Sequence, residues 1–385
     1  MRLPILLAAS ACLASSPPRQ PPSLSEANNR LAWDLHRAAA PSGNAFTSPL
    51  SVGMAMGMLT QGARGETRAE LRRALRHHLP DERQHAAMGE LARGLADRAK
   101  ADGQELAVAN ALFQVGRELA PAYRAAIARD YAAETFHGDL AAINRWVDER
   151  TRGMIPRLVD ELPPETAAVI LNAVYFKGSW ARGFSPEATR PGDFRLAPGR
   201  VRAVPMMRQE GRFLLAEVGG FRRLTLPYRG GELAMDLLLP AGGRTLAEAE
   251  GGLEPQPFAA LLAAPGREVQ ADVMLPRFRL ATEYRLKAPF ARLGLTKPFD
   301  RRGADLSGMG FAPGELWVDD VIHKAVVEVD EVGTKAAAVT GVVMRATAFR
   351  PDDQPVAFHC DQPFLFAIRS GQTILFLGRV VDPGK

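Results

Sequence analysis

Residues 331–347 read EVGTKAAAVTGVVMRAT. They continue the alternating strand pattern VIHKAVVEVDE of residues 321–331, and no charge falls between Lys335 and Arg345. A flexible linker carries more Gly, Ser and charge, and an ordinary core strand carries larger side chains. The composition marks a segment built to move. Under period-two alternation, Thr334, Ala336, Ala338, Thr340 and Val342 share one face, all small or β-branched and uncharged, so that face can be buried. Lys335, Ala337, Val339, Gly341 and Val343 fall on the other, where Lys335 meets solvent or an overlying helix. Gly333 is expected to supply backbone freedom where the preceding strand reverses.

The rest of the chain reads as one folded unit. Its 385 residues are 46% hydrophobic and 24% charged, a globular balance with length enough for a large core. The 48 Lys+Arg against 43 Asp+Glu are scattered, so composition offers nothing to nucleic acid. The opening MRLPILLAASACLASSPPRQPPS suits an export signal over residues 1–11 and a Pro/Ser-rich tether over 12–23. It is too short to span a membrane. Cys12, after Ala9-Ser10-Ala11, resembles a bacterial lipid-attachment site without the usual Leu three residues earlier, so the chain is expected to be either secreted, into the medium or the periplasm, or lipid-anchored there. Abundant Ala and Arg point to a GC-rich bacterial genome. Cys360 is left without a partner in the body and reads as a small buried hydrophobe.

Ala27, Leu31 and Leu35 predict a first amphipathic helix. Ser48 caps a second that opens on Pro49, and its apolar residues leave hardly a polar face, which predicts central burial. Thr67 and Glu70 read as a capping box opening a third helix. A charged helix covers 81–101, a strand 106–113, and Ile143, Trp146 and Val147 line a helix that Gly153 stops. TAAVILNAVYF, residues 166–176, reads as a central strand. Short strands follow, then a helix near 284–293, and a closing hairpin turns at Ser370-Gly371. Helices dominate the first half and strands the second, which predicts one α+β domain over 24–385.

Nucleophile elbows, H-E-x-x-H metal sites and Walker phosphate loops are all absent, and His77-His78 reads as part of a solvated helix. The pattern supports no enzyme, cofactor or metal.

In this order, NAFTSPLSV, LTQGARGET, INRWVDERTRGMI, LNAVYFKGSW, VPMM, LTLPYRGGELAMDLLLP, DEVGTKAAA, PFLFAIR and LFLGRVVDP resemble the signatures of the serpin family, from about residue 24 to the end. The resemblance implies about nine helices around three β-sheets, with an exposed reactive-centre loop at about 332–355. It implies a monomeric suicide-substrate inhibitor. A target serine protease cleaves the loop, is held as an acyl-enzyme, and is disabled when the loop inserts as a strand into the sheet the family letters A.

Carried over residue by residue, the resemblance makes Glu331, Gly333, Thr334, Ala336, Ala337 and Ala338 the hinge, with Val339 bulkier than the family favours. It makes Ser48, Ser51, Asn172 and His323 the buried polar groups controlling sheet opening, with His323 and Asn172 hydrogen-bonded to each other. Trp180 marks the point where insertion begins. Counting from Gly333 puts the scissile bond between Thr347 and Ala348, suited to an elastase-like or subtilisin-like protease. A shift in the count brings Arg345 or Arg350 into play for a trypsin-like enzyme, or Met344 for a chymotrypsin-like one, and a cysteine protease is a further target class. Alternatives remain: a non-inhibitory serpin acting as ligand carrier or chaperone, or a polyanion cofactor held by Arg72, Arg73 and Arg76.

Overall fold

The computed structural model describes residues 23–334, apart from 116, 117, 165 and 167, and residues 354–384. Among these are nine α-helices: α1 Leu24–Ala39, α2 Pro49–Gly62, α3 Gly65–Ala74, α4 Asp81–Ala101, α5 Pro121–Tyr131, α6 Leu140–Arg150, α7 Leu246–Gly251, α8 Pro255–Ala263 and α9 Lys287–Arg292. The strands are β1 Ala45–Thr47, β2 Glu105–Gln114, β3 Glu134–His137, β4 Ala168–Ser179, β5 Arg190–Ala197, β6 Arg200–Val218, β7 Phe221–Pro227, β8 Leu233–Pro240, β9 Arg267–Pro276, β10 Phe278–Arg285, β11 Ile322–Val329, β12 Gly333–Thr334, β13 Val356–His359, β14 Phe364–Ser370 and β15 Thr373–Val380.

Hydrogen bonding joins them into a six-stranded sheet, β10-β11-β12-β4-β2-β3, and a nine-stranded one, β1-β15-β14-β8-β7-β6-β9-β13 with β5 on β6. The second carries what the sequence reading separates into two sheets. The 19-residue β6 pairs with β5 and β9 along most of its length and with β7 at its end, so the ladder runs unbroken through it. β4 is internal, flanked by β2 and β12, as its continuous apolar run predicts.

α2 lies in the main core, with Leu50, Met54, Met56 and Met58 fully shielded. Ser48 caps it through a hydrogen bond from the Ser51 N–H to Ser48 Oγ, and Pro49 occupies the first turn, where no N–H is needed. α6 covers the opposite face of the six-stranded sheet and sets Ile143, Trp146 and Val147 on Ala111, Phe113, Leu171 and Ala173. A smaller core holds Trp33 of α1 against Phe258 of α8, their rings 4.5 Å apart.

Three local expectations are corrected. His77 and His78 lie beyond the end of α3 at Ala74, and His77 is largely buried instead of sitting on a solvated helix. Thr67 and Glu70 do not cap α3, which begins at Gly65. Thr67 Oγ1 accepts from the Asp305 N–H, and the Glu70 carboxylate accepts from the N–H groups of Thr296 and Lys297. Both side chains satisfy a neighbouring irregular segment, a tertiary demand that outweighs the local one. A capping box is formed instead by Thr245 with Glu248, at α7. The helix expected from residue 284 starts only at Lys287, because Tyr284 and Arg285 still pair with β11.

Candidate functional site

β11 turns tightly into β12. Asp330 Oδ1 accepts from the N–H groups of Val332 (2.9 Å) and Gly333 (3.1 Å), and the Asp330 N–H donates to the Gly333 carbonyl at 3.0 Å. This is how a short carboxylate stabilises a reversal. Glu331, at the tip, is buried. Burial alone would raise its pKa, but hydrogen bonds from Arg277 and Thr189 outweigh it and hold the carboxyl below the usual range. The Glu331 carbonyl accepts from the Phe184 N–H at 2.8 Å.

Thr334 is 3% exposed and stands in one row between Gly178 of β4 and Val329 of β11. Its Oγ1 lies 2.6 Å from the Tyr228 hydroxyl. The Tyr228 ring stacks on Trp180 at 4.6 Å and 10°. Trp180 in turn donates its indole N–H to the Asp330 carbonyl at 3.0 Å and its backbone N–H to the Val332 carbonyl at 2.9 Å. Trp180 and Tyr228 therefore clasp both sides of the turn. Burial holds the Tyr228 phenol far above its ordinary pKa, so it stays protonated and can donate or accept at Thr334.

Gly333 is needed for a reason other than the one expected. Its φ is outside the left-handed region, so backbone freedom is not the demand. A Cβ there would stand 2.0 Å from the Gly178 carbonyl oxygen, and only glycine lets the two strands approach so closely.

β12 supplies only two residues, and among the described residues no register joins β4 directly to β11. At Thr334 the two longer strands stand one strand apart, and beyond it their facing edges, which bound a lane, have no pairing partner among the described residues. A cavity of about 20 Å³ lies there, lined by Val174, Phe176, Val327, Thr334, Ile368 and Phe376 among others. Stepping six residues back along β4 from Gly178 and along β11 from Val329 reaches Asn172 and His323, which are therefore level across the lane.

They do not bond to each other, contrary to the sequence reading. At the Thr334 row two strand spacings, about 9–10 Å, separate β4 from β11. Instead Asn172 Nδ2 donates to Asn110 Oδ1 at 2.6 Å, and Asn172 Oδ1 is buried without a partner among the described residues. His323 Nε2 accepts the Ser48 N–H at 3.0 Å, which fixes the tautomer with the proton on Nδ1. Ser48 Oγ donates to the Leu375 carbonyl at 2.8 Å, and Ser48, Ser51 and His323 are all buried. Burial pushes the His323 imidazole down to about 4, so it is neutral at pH 7.

The sequence-predicted Glu331, Gly333, Thr334 and Trp180 thus meet in one cluster, and Ser48, Ser51 and His323 in another. Ala336, Ala337, Ala338, Met344, Arg345, Thr347, Ala348 and Arg350 lie outside the described residues, as does Cys12. Sequence reasoning missed Tyr228, Asp330, Arg277 and Thr189. Tyr228 sits inside the quoted LTLPYRGGE run and Asp330 opens the hinge motif, but nothing local signals Thr189 or Arg277. Arg72 shares Asp81 with Arg68, Arg76 pairs with Asp34 at 2.6 Å, and Arg73 reaches Glu66 only at 3.9 Å across an exposed surface. Cys360 is fully buried, its pKa raised by that burial, which leaves an unreactive thiol. Among the described residues no cluster of three metal-ligating side chains occurs, and no helix is long and apolar enough to cross a membrane.

Comparison with known proteins agrees with this geometry. The family model described as serpin (serine protease inhibitor) matches residues 26–383. The bovine leukocyte elastase inhibitor is 38% identical over 387 residues, covering 94% of this chain and 99% of the relative. A serpin-like protein of Thermococcus kodakarensis is 36% identical over 370 residues, covering 92% and 84% respectively. The crystal structure of human thyroxine-binding globulin with thyroxine superposes with a TM-score of 0.83 at 26% identity, covering 94% of this chain and 99% of that one. A strand turn clasped beside that lane, on a fold shared over nearly the whole chain with these relatives, leads to one conclusion: the chain belongs to the serpin family.

Proposed function

We propose that the protein is an irreversible suicide-substrate inhibitor of serine endopeptidases. The observation that carries this reading is β12. The first two residues after the turn are seated as a strand between β4 and β11, and the lane they enter continues with no described partner on either side. In the proposed reaction the protease serine Oγ attacks the carbonyl carbon of Thr347, and the bond to the Ala348 nitrogen breaks. The proton passes to the leaving amine, and the protease remains esterified to the new carboxyl end. Residues 335 onward then extend β12 down the lane, carrying the ester with them.

Insertion orders about a dozen residues at ~1–2 kcal/mol of backbone entropy each. New ladder bonds return only about 0.5–1.5 kcal/mol apiece, so side-chain burial decides the balance. The uncharged Thr334, Ala336, Ala338 and Thr340 face fits a lane whose walls are apolar. Continued register would bring Thr340 between Asn172 and His323, where the unpartnered Asn172 Oδ1 meets a hydroxyl donor.

A leukocyte-elastase-like target is the reading that the relatives' names and a small β-branched Thr347 both favour, with Arg345, Arg350 and Met344 as the alternative bait residues and a cysteine protease as a second target class. The carrier alternative is not favoured, since relatives at 38% identity are named inhibitors while the thyroxine-binding structure stands at 26%. We further propose that residues 1–11 are removed on export, that 12–23 tether the single domain 24–385, and that Cys12 either carries a lipid or is released with the secreted chain. A bacterial source rests on composition alone; the relatives named above include an animal and an archaeal protein.

The test is to mix the protein with elastase, subtilisin, trypsin, chymotrypsin and papain, and to examine each product by denaturing electrophoresis and mass spectrometry. An inhibitor yields a covalent product with one of them, and the released C-terminal fragment gives the cut bond by mass. Nicking without any covalent product overturns the proposal. Mass spectrometry of the mature N-terminus separates lipid-bearing Cys12 from a free secreted chain.

A further inference from the structure

A cavity of about 70 Å³ lies behind the hinge, walled by Trp180, Arg182, Gln209, Arg212, Phe213 and Leu226, with Pro227 beside them. One water needs roughly 10–15 Å³ of such volume, so this space admits a ligand of several heavy atoms. Its lining is selective. Gln209 is 8% exposed, and its Oε1 is shut away without a partner. The amide nitrogen of Gln209 makes no hydrogen bond among the described residues, so this lining side chain has a donor to spare.

Arg182 has no carboxylate partner among the described residues. Its guanidinium lies against the Gly211 backbone, where a Cβ would come within 2.5 Å of Nη1. Arg212 reaches Glu268 only at 3.5 Å, across an exposed surface. Trp180 spends its one donor on the Asp330 carbonyl and so presents ring. No acidic side chain lines the cavity. A lining that combines the donors of Arg182 and Gln209 with Phe213, Leu226 and Pro227 calls for an oxyanion with a short apolar tail, because guanidinium pairs with carboxylate in a planar, charge-assisted geometry.

We propose that this cavity is a binding site for a short aliphatic monocarboxylate of about butyrate's size, its carboxylate held by Arg182 and the Gln209 amide and its tail resting on Phe213, Leu226 and Pro227. Inorganic sulfate or phosphate would satisfy the donors but leave the apolar wall bare. Because Trp180 is both a wall of the cavity and the plate on which Tyr228 rests, a bound ligand touches the group that clasps the hinge. The site stands independently of the inhibitor reading.

The test is isothermal titration of the intact full-length protein at constant ionic strength with sodium butyrate, sodium acetate, sodium sulfate and butyramide. Butyrate binds saturably, acetate and sulfate bind several-fold more weakly, and neutral butyramide does not bind. Arg182→Met, at an exposed position that leaves the fold intact, weakens butyrate about ten-fold, the effect of one charge-assisted hydrogen bond. Gln209→Glu, nearly isosteric, turns a carboxylate toward the ligand and weakens it at least as much. If Gln209→Glu fails to fold, Arg182→Met alone decides. Absence of saturable butyrate binding, unchanged affinity in Arg182→Met, or sulfate binding as tightly as butyrate overturns the proposal.

Discussion

The Tyr228 hydroxyl and Thr334 Oγ1 lie 2.6 Å apart, fully enclosed, at the point where β12 enters the sheet. Each is the other's buried hydrogen-bond partner, so removing one strands the other. Tyr228→Phe should lower the stability of the intact protein by about 1–2 kcal/mol, measured by urea unfolding. Thr334→Arg is more severe, since no space or counter-charge awaits a guanidinium between Gly178 and Val329. It should still be cleaved by the target protease but form no covalent product. Retention of that product in Thr334→Arg would show that β12 is not the leading end of an inserting strand.

Gly333→Ala should disable the hinge by a different route. The added Cβ meets a backbone oxygen of Gly178, which cannot step aside as a flexible side chain could. Overpacking of this kind costs about 1–3 kcal/mol. The expected result is cleavage at an undiminished rate with the yield of covalent complex reduced about ten-fold or more. A yield equal to wild type would mean that the close approach of β12 to β4 is dispensable.

His323 predicts an acid-sensitive core. Its folded pKa of about 4 lies below the ordinary value near 6.5, so between those two values the unfolded chain binds the extra proton. Its contribution is therefore whole above pH 6.5 and is lost as the pH falls toward 4. By pH 5 the loss is roughly 2 kcal/mol. His77 and His85, pushed by burial to about 3 and about 4, add losses of the same sign. His323→Gln keeps an acceptor near the Ser48 N–H but cannot titrate. The fall in unfolding free energy between pH 7 and pH 5 should be smaller in this variant by roughly 2 kcal/mol, and an identical fall would remove His323 from the account.

Arg277 holds a buried carboxylate at the turn. Its own side chain is 49% exposed while that of Glu331 is 7% exposed, so the pair is screened on one side only. Arg277→Met leaves Glu331 with Thr189 as its remaining side-chain partner and should cost about 1–2 kcal/mol, less than a fully buried pair because water reaches the arginine side. Arg277→Met combined with Glu331→Gln should recover part of that loss in thermal unfolding. No recovery would mean that Arg277 acts through packing instead of charge.

Strand insertion predicts that the cut molecule is more stable than the intact one. Limited cleavage within residues 335–353 should raise the melting temperature markedly, because the lane between β4 and β11 fills with ladder bonds and buried small side chains. Equal melting of cut and intact samples would fit the carrier reading instead.

Much of this was legible in residue order. Hydrophobic period and cap chemistry are local, so α1, the Ser48–Pro49 start of α2, the 81–101 helix, the central β4 and the closing hairpin all follow from neighbours a few positions apart. Alternation alone put His323 on the apolar face with Ala325, Val327 and Val329, where the structure has it. The Thr67–Glu70 misreading shows the limit: the same two side chains serve a cap or a distant loop equally well, and only the approach of residues 296–305 chooses between them.

The hinge shows the same division. Small, uncharged residues after Gly333 are a property of the chain itself, because alternation and side-chain size do not depend on what lies across the sheet. That Gly333 answers to the Gly178 carbonyl, that Tyr228 and Trp180 clasp the turn, and that His323 turns to Ser48 while Asn172 turns to Asn110 are contacts between residues scores of positions apart. Their energies come from burial and from distances of a few ångströms, and those exist only once the sheet has assembled with a lane between β4 and β11.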